Sequence, residues 1–582
     1  MSHSGNKQLS RYLSDLSAVY TYLGGTERFR AAAYRKAAKV VEALPDDIAI
    51  YCKKGTLRRL PGIGESIAQK IEEFNKSGKI GKLEALKKQV PYELLDLLSV
   101  SGFGPESLRR LHEELGISTH VHLEQAIKQG KISQLPGFGK QKIENMLRGL
   151  KLFKDTANRM LLPDAMALAD QVIASLTKIP GVLQAAVAGS IRRRKETIGD
   201  IDVIVSCHSK DRAKIAAQFV KEPFVERVIV KGITKVSVIH RPSNRQIDLR
   251  IMRENEWGSG LHYFTGSREH NIHLRSLASS RGYRISEYGI FNRRSGKWLG
   301  GKTEDDIYRI LGMSLMPPEM REDHGEIELS IKHEIPELVD MKDLRGDMHM
   351  HSTWSDGMNT PEQMTSYIQK HFRYDYTVLS DHSPASVITH GMNAKQVLKQ
   401  IEKVRAINRN AGNQFLKTGI EVDILMNGEL DMPDEILAQL DWVTASIHRG
   451  FTKDNTERLL KACENRYVCC IGHPTGRLIG SRAAYPLNMD ELIRKAALTG
   501  TALEINAQPR RLDLKDEHIR SAVQAGVKLV ITTDAHTYAD LHNMEFGIYM
   551  ARRGWCTKND ILNTQSWKEI EHFRDKKRNG NK

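Results

Sequence analysis

Between about residues 344 and 550 the chain alternates short apolar runs with helical stretches, and nearly every run stops at a histidine or an acid. "YTVLSDH" ends in Asp381-His382, "FLKTGIE" in Glu421, "DWVTASIH" in His448, "VCCIGHP" carries His473, and "LVITTDAH" closes on Asp534 and His536. No other feature constrains the fold as strongly, because such alternation requires an α/β unit with a largely parallel sheet. Sheets of that kind place reactive groups at the C-terminal ends of their strands. One histidine after one strand is ordinary; histidines or carboxylates after nearly every strand converge on one mouth. "RGDMHMHSTWSDG" adds His349 and His351, alternate residues that share a strand face, and Asp356 in the turn that follows. Mixed imidazole and carboxylate ligation suits Mn²⁺, Zn²⁺ or Fe²⁺, and such ions together would acidify a water and clamp a phosphate.

The N-terminal quarter has a different rhythm. From Lys7 to Leu150 apolar residues recur at three- and four-residue steps, which predicts helices throughout. "LPGIGESIAQKI", "VSGFGPESLRRL" and "LPGFGKQKIENM" repeat one pattern: an apolar residue, a Gly-x-Gly turn (Gly62/Gly64, Gly102/Gly104, Gly137/Gly139) and a helix start. Such a turn leaves backbone N–H groups at the positive end of a helix, a phosphate site that reads no bases. One copy would be ordinary architecture. Three copies in a 582-residue chain of net charge +16 and pI near 9.3 point to a polyanionic partner. No apolar run is long enough to span a bilayer, the N-terminus lacks a signal-peptide core, and six scattered cysteines suggest reduced thiols in a cytoplasm.

Between these regions lie five strands, "LQAAVAG", "IDVIVS", "ERVIVKG", "TKVSVIH" and "RQIDLRIM". Asp200 and Asp202 share a face at the start of the second, and Asp248 occupies the last. Three carboxylates gathered on a sheet repel one another unless cations lie between them, and paired Mg²⁺ ions suit all-oxygen ligands. Gly189-Ser190 and Arg192 to Arg194 add a tight turn, a hydroxyl and phosphate-binding guanidinium groups.

In this order, "GSIRRRKETIGDID" and "YFTGSREHNIHLR" closely resemble the nucleotidyltransferases of DNA polymerase family X over residues 10 to 320. The resemblance implies that Ser190 and Arg193 hold a triphosphate and that Tyr263 and Phe264 pack against the incoming sugar. By the same resemblance Gly266-Ser267 form the turn beneath it, Asn271 meets the base edge and Arg275 the templating strand. The N-terminal segment is similar to the lyase domain of polymerase-beta-type enzymes, which makes Lys70 a candidate Schiff-base lysine. Ser66 and Arg30 replace that domain's supporting residues, and a solvated lysine on a DNA-binding helix is the competing reading. The C-terminal constellation resembles the PHP (polymerase and histidinol phosphatase) domain, a distorted (β/α)7 barrel with a trinuclear metal site. Carried over, the ligands are His349, His351, Asp356, His382, Glu421, His448, His473, Asp534 and His536. Arg477, in "HPTGR", is either a ligand for substrate phosphate or a surface arginine.

The expected fold is therefore multidomain: an all-α helix-hairpin-helix region, an α+β palm and a C-terminal PHP barrel. Expected boundaries are 1–88 (lyase-like), 89–155 (helix-hairpin-helix), 156–260 (palm), 261–320 (nucleotide-selecting), 321–343 (linker) and 344–575 (PHP), ahead of a frayed basic tail. The resemblance implies a bacterial gap-filling polymerase of base excision repair with a PHP domain that hydrolyses 3′ ends as exonuclease, 3′-phosphatase or phosphodiesterase, with abasic-site endonuclease within the same chemistry. It implies Mg²⁺ or Mn²⁺ in the palm and a cluster of about three Mn²⁺, Zn²⁺ or Fe²⁺ ions in the barrel. The expected partners are dNTPs and gapped or nicked DNA held through phosphates, for a monomer working on the nucleoid in the cytoplasm. The rival reading is a nuclease whose polymerase half only targets DNA, and the intact Asp200, Asp202 and Asp248 argue against it.

Overall fold

The computed structural model describes residues 4–580 apart from Ala43, Pro45 and Ser101, with the side chains of Ser4 and Ala157 also outside the description. The chain divides into two compact units, one of residues 1–157 with 478–483 and 537–539, the other of residues 158–477, 484–536 and 540–582.

The first unit is helical. Leu9, Leu13 and Leu16, spaced to share one face of helix Ser4–Leu23, are fully buried. Helices Ile48–Lys54, Glu65–Ser77 and Pro105–Leu115 each stop at a glycine in the left-handed conformation, Gly55, Gly78 and Gly116.

The second unit contains two large sheets. Five strands form the palm: β1 (Val182–Val187), β2 (Ile201–Cys207), β3 (Val225–Lys231), β4 (Lys235–His240) and β5 (Arg245–Arg253), in the order β1-β2-β5-β4-β3. Only β2 and β5 run parallel, and their register sets Asp202 beside Asp248. Helices Trp257–Thr265 and Arg268–Ser280 follow, with a three-stranded antiparallel sheet over residues 283–300.

Seven parallel strands then form a barrel in sequence order: β6 (Gly346–Met350), β7 (Tyr376–Leu379), β8 (Leu416–Asp423), β9 (Trp442–Ser446), β10 (Cys470–Ile471), β11 (Ala502–Asn506) and β12 (Leu529–Thr532). A parallel bridge from Met350 to Ala535 brings its first and last strands together. Tyr376, Trp442, Cys470 and Ala502, all at strand starts, pack with Ile570 and with Trp567 and Phe573 of helix Trp567–Asn579. The barrel is thus plugged at the end opposite to the one where its strands finish.

That helix corrects the expectation of a frayed tail. Ser566 and Glu569 make a reciprocal cap, and Lys577 donates to the Cys463 carbonyl (3.0 Å). The stretch expected as a linker is also packed. Arg321 is 1% exposed and pairs with Glu304 (2.7 Å), and Ile327 of helix Glu326–Lys332 lies in a core with Leu274 and Tyr308. All six cysteines are free thiols, and none of the described helices is long and apolar enough to cross a membrane.

Candidate active sites

The palm site begins at a glycine. Gly189 has φ +57°, and a Cβ there would lie 2.0 Å from Asp202 Oδ2, so only glycine lets the turn pass over the carboxylate. Ligand oxygens of Asp200, Asp202 and Asp248 lie within 4.8 Å of one another. Burial, then the charges of Asp200 and Asp248, push the Asp202 carboxyl up to about 7. Lys235 (3.3 Å) and Gln246 (2.8 Å) already engage Asp248. Mutual repulsion in an all-oxygen set fits hard divalent cations.

A cleft of about 530 Å³ opens beside the triad, lined by Gly189, Ser190, Arg193, Tyr263, Phe264, Gly266, Asn271 and Arg275 along with Asp200 and Asp202. All the residues expected to meet the nucleotide line it except Ser267, which is buried and caps helix Arg268–Ser280 by accepting from His270 N. Asn271 Nδ2 donates to the Tyr263 carbonyl (2.8 Å), while its amide oxygen is buried without a partner. Arg193 is anchored at both ends, donating to the Thr265 carbonyl (2.5 Å) and to Glu322 (3.1 Å).

The barrel site gathers all nine expected ligands. Ligand atoms of His351, Asp356, His382 and His536 lie within 4.8 Å of one another, as do those of His349, His351 and Glu421 and those of His382, Glu421 and His448. His473 Nε2 meets Glu421 at 3.0 Å, and Asp534 meets His351 Nε2 at 3.1 Å. Glu421 is therefore the hub. His349 Nε2, His351 Nδ1, Asp356 Oδ1, His382 Nδ1, Glu421 Oε2 and His473 Nδ1 are buried with no hydrogen-bond partner. Unsatisfied donor atoms this dense are expensive unless they ligate metal, so the set fits the cation cluster that it resembles.

Electrostatics run opposite to the palm. Burial opposes charge on every group, yet His448 and His382 hold Glu421 well below the usual carboxylate range, and His351 and His349 do the same for Asp534. Against burial, Glu421 raises His448 to about 10 and Asp356 raises His536 to about 9. Burial, followed by His536 and His382, lowers His351 to about 4.

Sequence reading missed the layer behind these ligands. Glu504, fully buried on β11, accepts from His349 Nδ1 and Thr532 Oγ1 (both 2.6 Å) and from the His473 backbone N–H. Asp423 takes His448 Nδ1 at 3.1 Å, and Asp381 receives Ser352 N (2.8 Å), Ser355 Oγ (2.5 Å) and Gln400 Nε2 (2.7 Å), fixing the turn that carries Asp356. Arg511 approaches Asp534 at 3.5 Å with one guanidinium nitrogen buried and unpaired. Arg477 needs correcting in one respect: it is 6% exposed and donates to Glu196 of the palm (2.6 and 3.2 Å), so it is a tie within the unit and not a surface arginine.

In the helical unit, Gly62, Gly102 and Gly137 have φ of 78°, 99° and 80°, which the turn requires. A Cβ on Gly64, Gly104 or Gly139 would meet nothing within 4 Å. Gly64 and Gly104 are N-caps that offer no side-chain bond to the helix amides. Lys70 is half-buried, donates to Ser66 Oγ (3.0 Å) and lies over the Tyr34 ring.

A nucleotidyltransferase palm joined in one chain to a PHP-type barrel defines a two-site enzyme class. Family models agree with the first half: two helix-hairpin-helix models match residues 4–80 and 94–152, the DNA polymerase beta palm 162–253 and the DNA polymerase beta thumb 260–322. The DNA polymerase/3′-5′ exonuclease PolX of Bacillus subtilis is 38% identical over 97% of this chain and 99% of its own length. DNA polymerase lambda from Rattus norvegicus (24% identical) and from Arabidopsis thaliana (27%) each match 54% of the chain and 56% and 62% of their own lengths. The chain belongs to the bacterial DNA polymerases of family X.

Proposed function

We propose that this chain extends a DNA 3′-hydroxyl at the palm and hydrolyses 3′-terminal phosphodiesters in the barrel. The observation that carries this reading is the presence of two separate donor clusters, one of oxygens alone and one dominated by imidazoles. Asp200, Asp202 and Asp248 would hold Mg²⁺ or Mn²⁺, and the nine barrel residues would hold about three ions of Mn²⁺, Zn²⁺ or Fe²⁺. Bound there, divalent ions supply Lewis-acid charge and lower the pKa of a primer hydroxyl or a water.

The chain's own side chains do the rest. Ser190 and Arg193 bind the triphosphate of a dNTP, Tyr263 and Phe264 wall its sugar, Asn271 and Arg275 face the base pair and template, and Gly266 and Ser267 shape the turn beneath. Glu504 and Asp423 fix the rings of His349 and His448 so that their other nitrogens face the cluster. The hairpin amides beyond Gly64, Gly104 and Gly139 grip DNA phosphates without reading sequence. Gap filling in base excision repair, with 3′ ends cleaned by the barrel, is the task that unites the two sites. Abasic-site cleavage would draw on the same barrel chemistry. Lyase chemistry at Lys70 has less support, since its amine is occupied by Ser66 and Tyr34.

Separation of the two activities tests the reading. Asp200→Ala with Asp202→Ala should abolish primer extension on gapped DNA and leave 3′ degradation, and His349→Ala with His351→Ala should do the reverse. Loss of both activities in either variant would show one shared site.

A further inference from the structure

The loop that carries Arg193 is held from the barrel side, by residues that do not line the nucleotide cleft. Arg553, at the end of helix Met544–Arg553, is 3% exposed. Its guanidinium donates to the Arg193 carbonyl (2.6 Å) and to Glu322 Oε1 (3.0 Å), the same oxygen that takes Arg193 Nε at 3.1 Å. Its other terminal nitrogen pairs with Asp516 of the barrel. One turn earlier on that helix, Tyr549 lies under the Arg194 guanidinium at 4.2 Å, and Arg194 has φ +57°, a conformation that a non-glycine residue keeps only when its surroundings impose it. Two residues further on, Arg477 holds Glu196. Three of the four residues 193–196 are thus fixed by side chains that follow His473 in the chain.

The charges show what this does. Glu322, its side chain 11% exposed, is in direct competition with a triphosphate for Arg193. Arg553 shares that carboxylate, and Asp516 balances Arg553 in turn, so the Arg193 guanidinium does not have to neutralise Glu322 alone.

We infer that Arg553 is a positioning residue of the polymerase reaction: the barrel sets the loop from which Arg193 reaches the triphosphate, so nucleotide affinity depends on a side chain of the hydrolytic domain. This rests on the reading of Arg193 as a triphosphate ligand.

Single-nucleotide insertion on gapped DNA, with the full-length protein, tests it. Arg553→Ala should raise KM for the dNTP about tenfold while kcat changes less than about twofold, and Arg553→Lys should recover part of the loss. Exonuclease activity on a single-stranded primer should stay at the starting level, showing that the barrel is folded. In an Arg193→Ala background, Arg553→Ala should add nothing to KM. An unchanged KM in Arg553→Ala, or an equal fall of kcat and exonuclease activity, overturns the coupling. A normal KM in Arg193→Ala instead overturns the assignment of Arg193. If Arg553→Ala does not fold, Tyr549→Ala removes only the ring under Arg194; it should raise KM by a smaller factor, and an unchanged KM there also rejects the proposal.

Discussion

The palm and the barrel solve the problem of gathering acids in opposite ways. In the palm, three carboxylates approach one another with no imidazole among them, and burial with mutual repulsion lifts Asp202 to about 7. In the barrel, Glu421 and Asp534 lie deeper still, yet the histidines around them hold both well below the usual range. An all-oxygen cluster carries net negative charge and is incomplete without cations. In the imidazole-rich cluster the acids lie among histidines, whose ring nitrogens bind metal only when free of protons, so metal binding there competes with protons. The palm site is thus open and demands only charge, whereas the barrel site is enclosed and demands particular donor geometry.

The largest effects should come from the residue each cluster cannot do without. Glu421→Gln should abolish barrel hydrolysis and the barrel's share of bound metal, measured by elemental analysis, with primer extension unaffected. Glu421 contacts His349, His351, His382, His448 and His473, so a neutral amide there disturbs every group. The matching change in the palm is Gly189→Ala, which drives a methyl into Asp202 and should abolish extension while 3′ hydrolysis persists. If either variant damaged both activities, the two centres would not be independent.

Next in size is the layer behind the ligands. Glu504→Gln keeps an acceptor for His349 but loses the charge, and it should cut barrel hydrolysis by roughly 10- to 100-fold, as loss of such supporting groups does. Bound metal should fall in parallel, with extension unchanged. Full hydrolysis in this variant would mean that His349 needs no charged partner and that packing alone aims its ring.

What could be read in advance follows the same division. Strand ends were legible, because apolar runs announce strands and a polar residue at the end of each stands out; His382, Glu421, His448, His473 and Asp534 all came from that rule. Glu504 was hidden because it sits in the middle of "TALEINA", one acid inside a run that reads as core. Asp202 and Asp248 could be grouped as acids on neighbouring strands, but not set side by side in register, since that depends on the parallel pairing of strands far apart in the chain. Arg477 misled because its carboxylate partner, Glu196, is 281 residues away. The basic tail was legible and overlooked: Trp567, Ile570 and Phe573 follow helical spacing behind a Ser-x-x-Glu cap.

The smallest effect separates the chemistry of the two sites from the grip on DNA that would serve both. In each hairpin the two glycines have different reasons to be there. Gly62 has φ +78°, and Gly62→Ala should lower stability by about 1–2 kcal/mol, seen as a drop in Tm. Gly64 is the N-cap of helix Glu65–Ser77, has φ −82° and faces open space, so nothing in the fold requires glycine there. Serine is the better N-cap, and Gly64→Ser should keep or raise Tm. Its hydroxyl would occupy the helix amides that a DNA phosphate would use, so the Kd for gapped DNA should weaken several-fold and its salt dependence should become shallower. Extension at low DNA concentration should fall with Kd, and hydrolysis of a small phosphodiester in the barrel should not change. Should Gly64→Ser bind DNA as tightly as the parent chain, the second glycines would be turn architecture, and the palm would have to hold its template by other contacts.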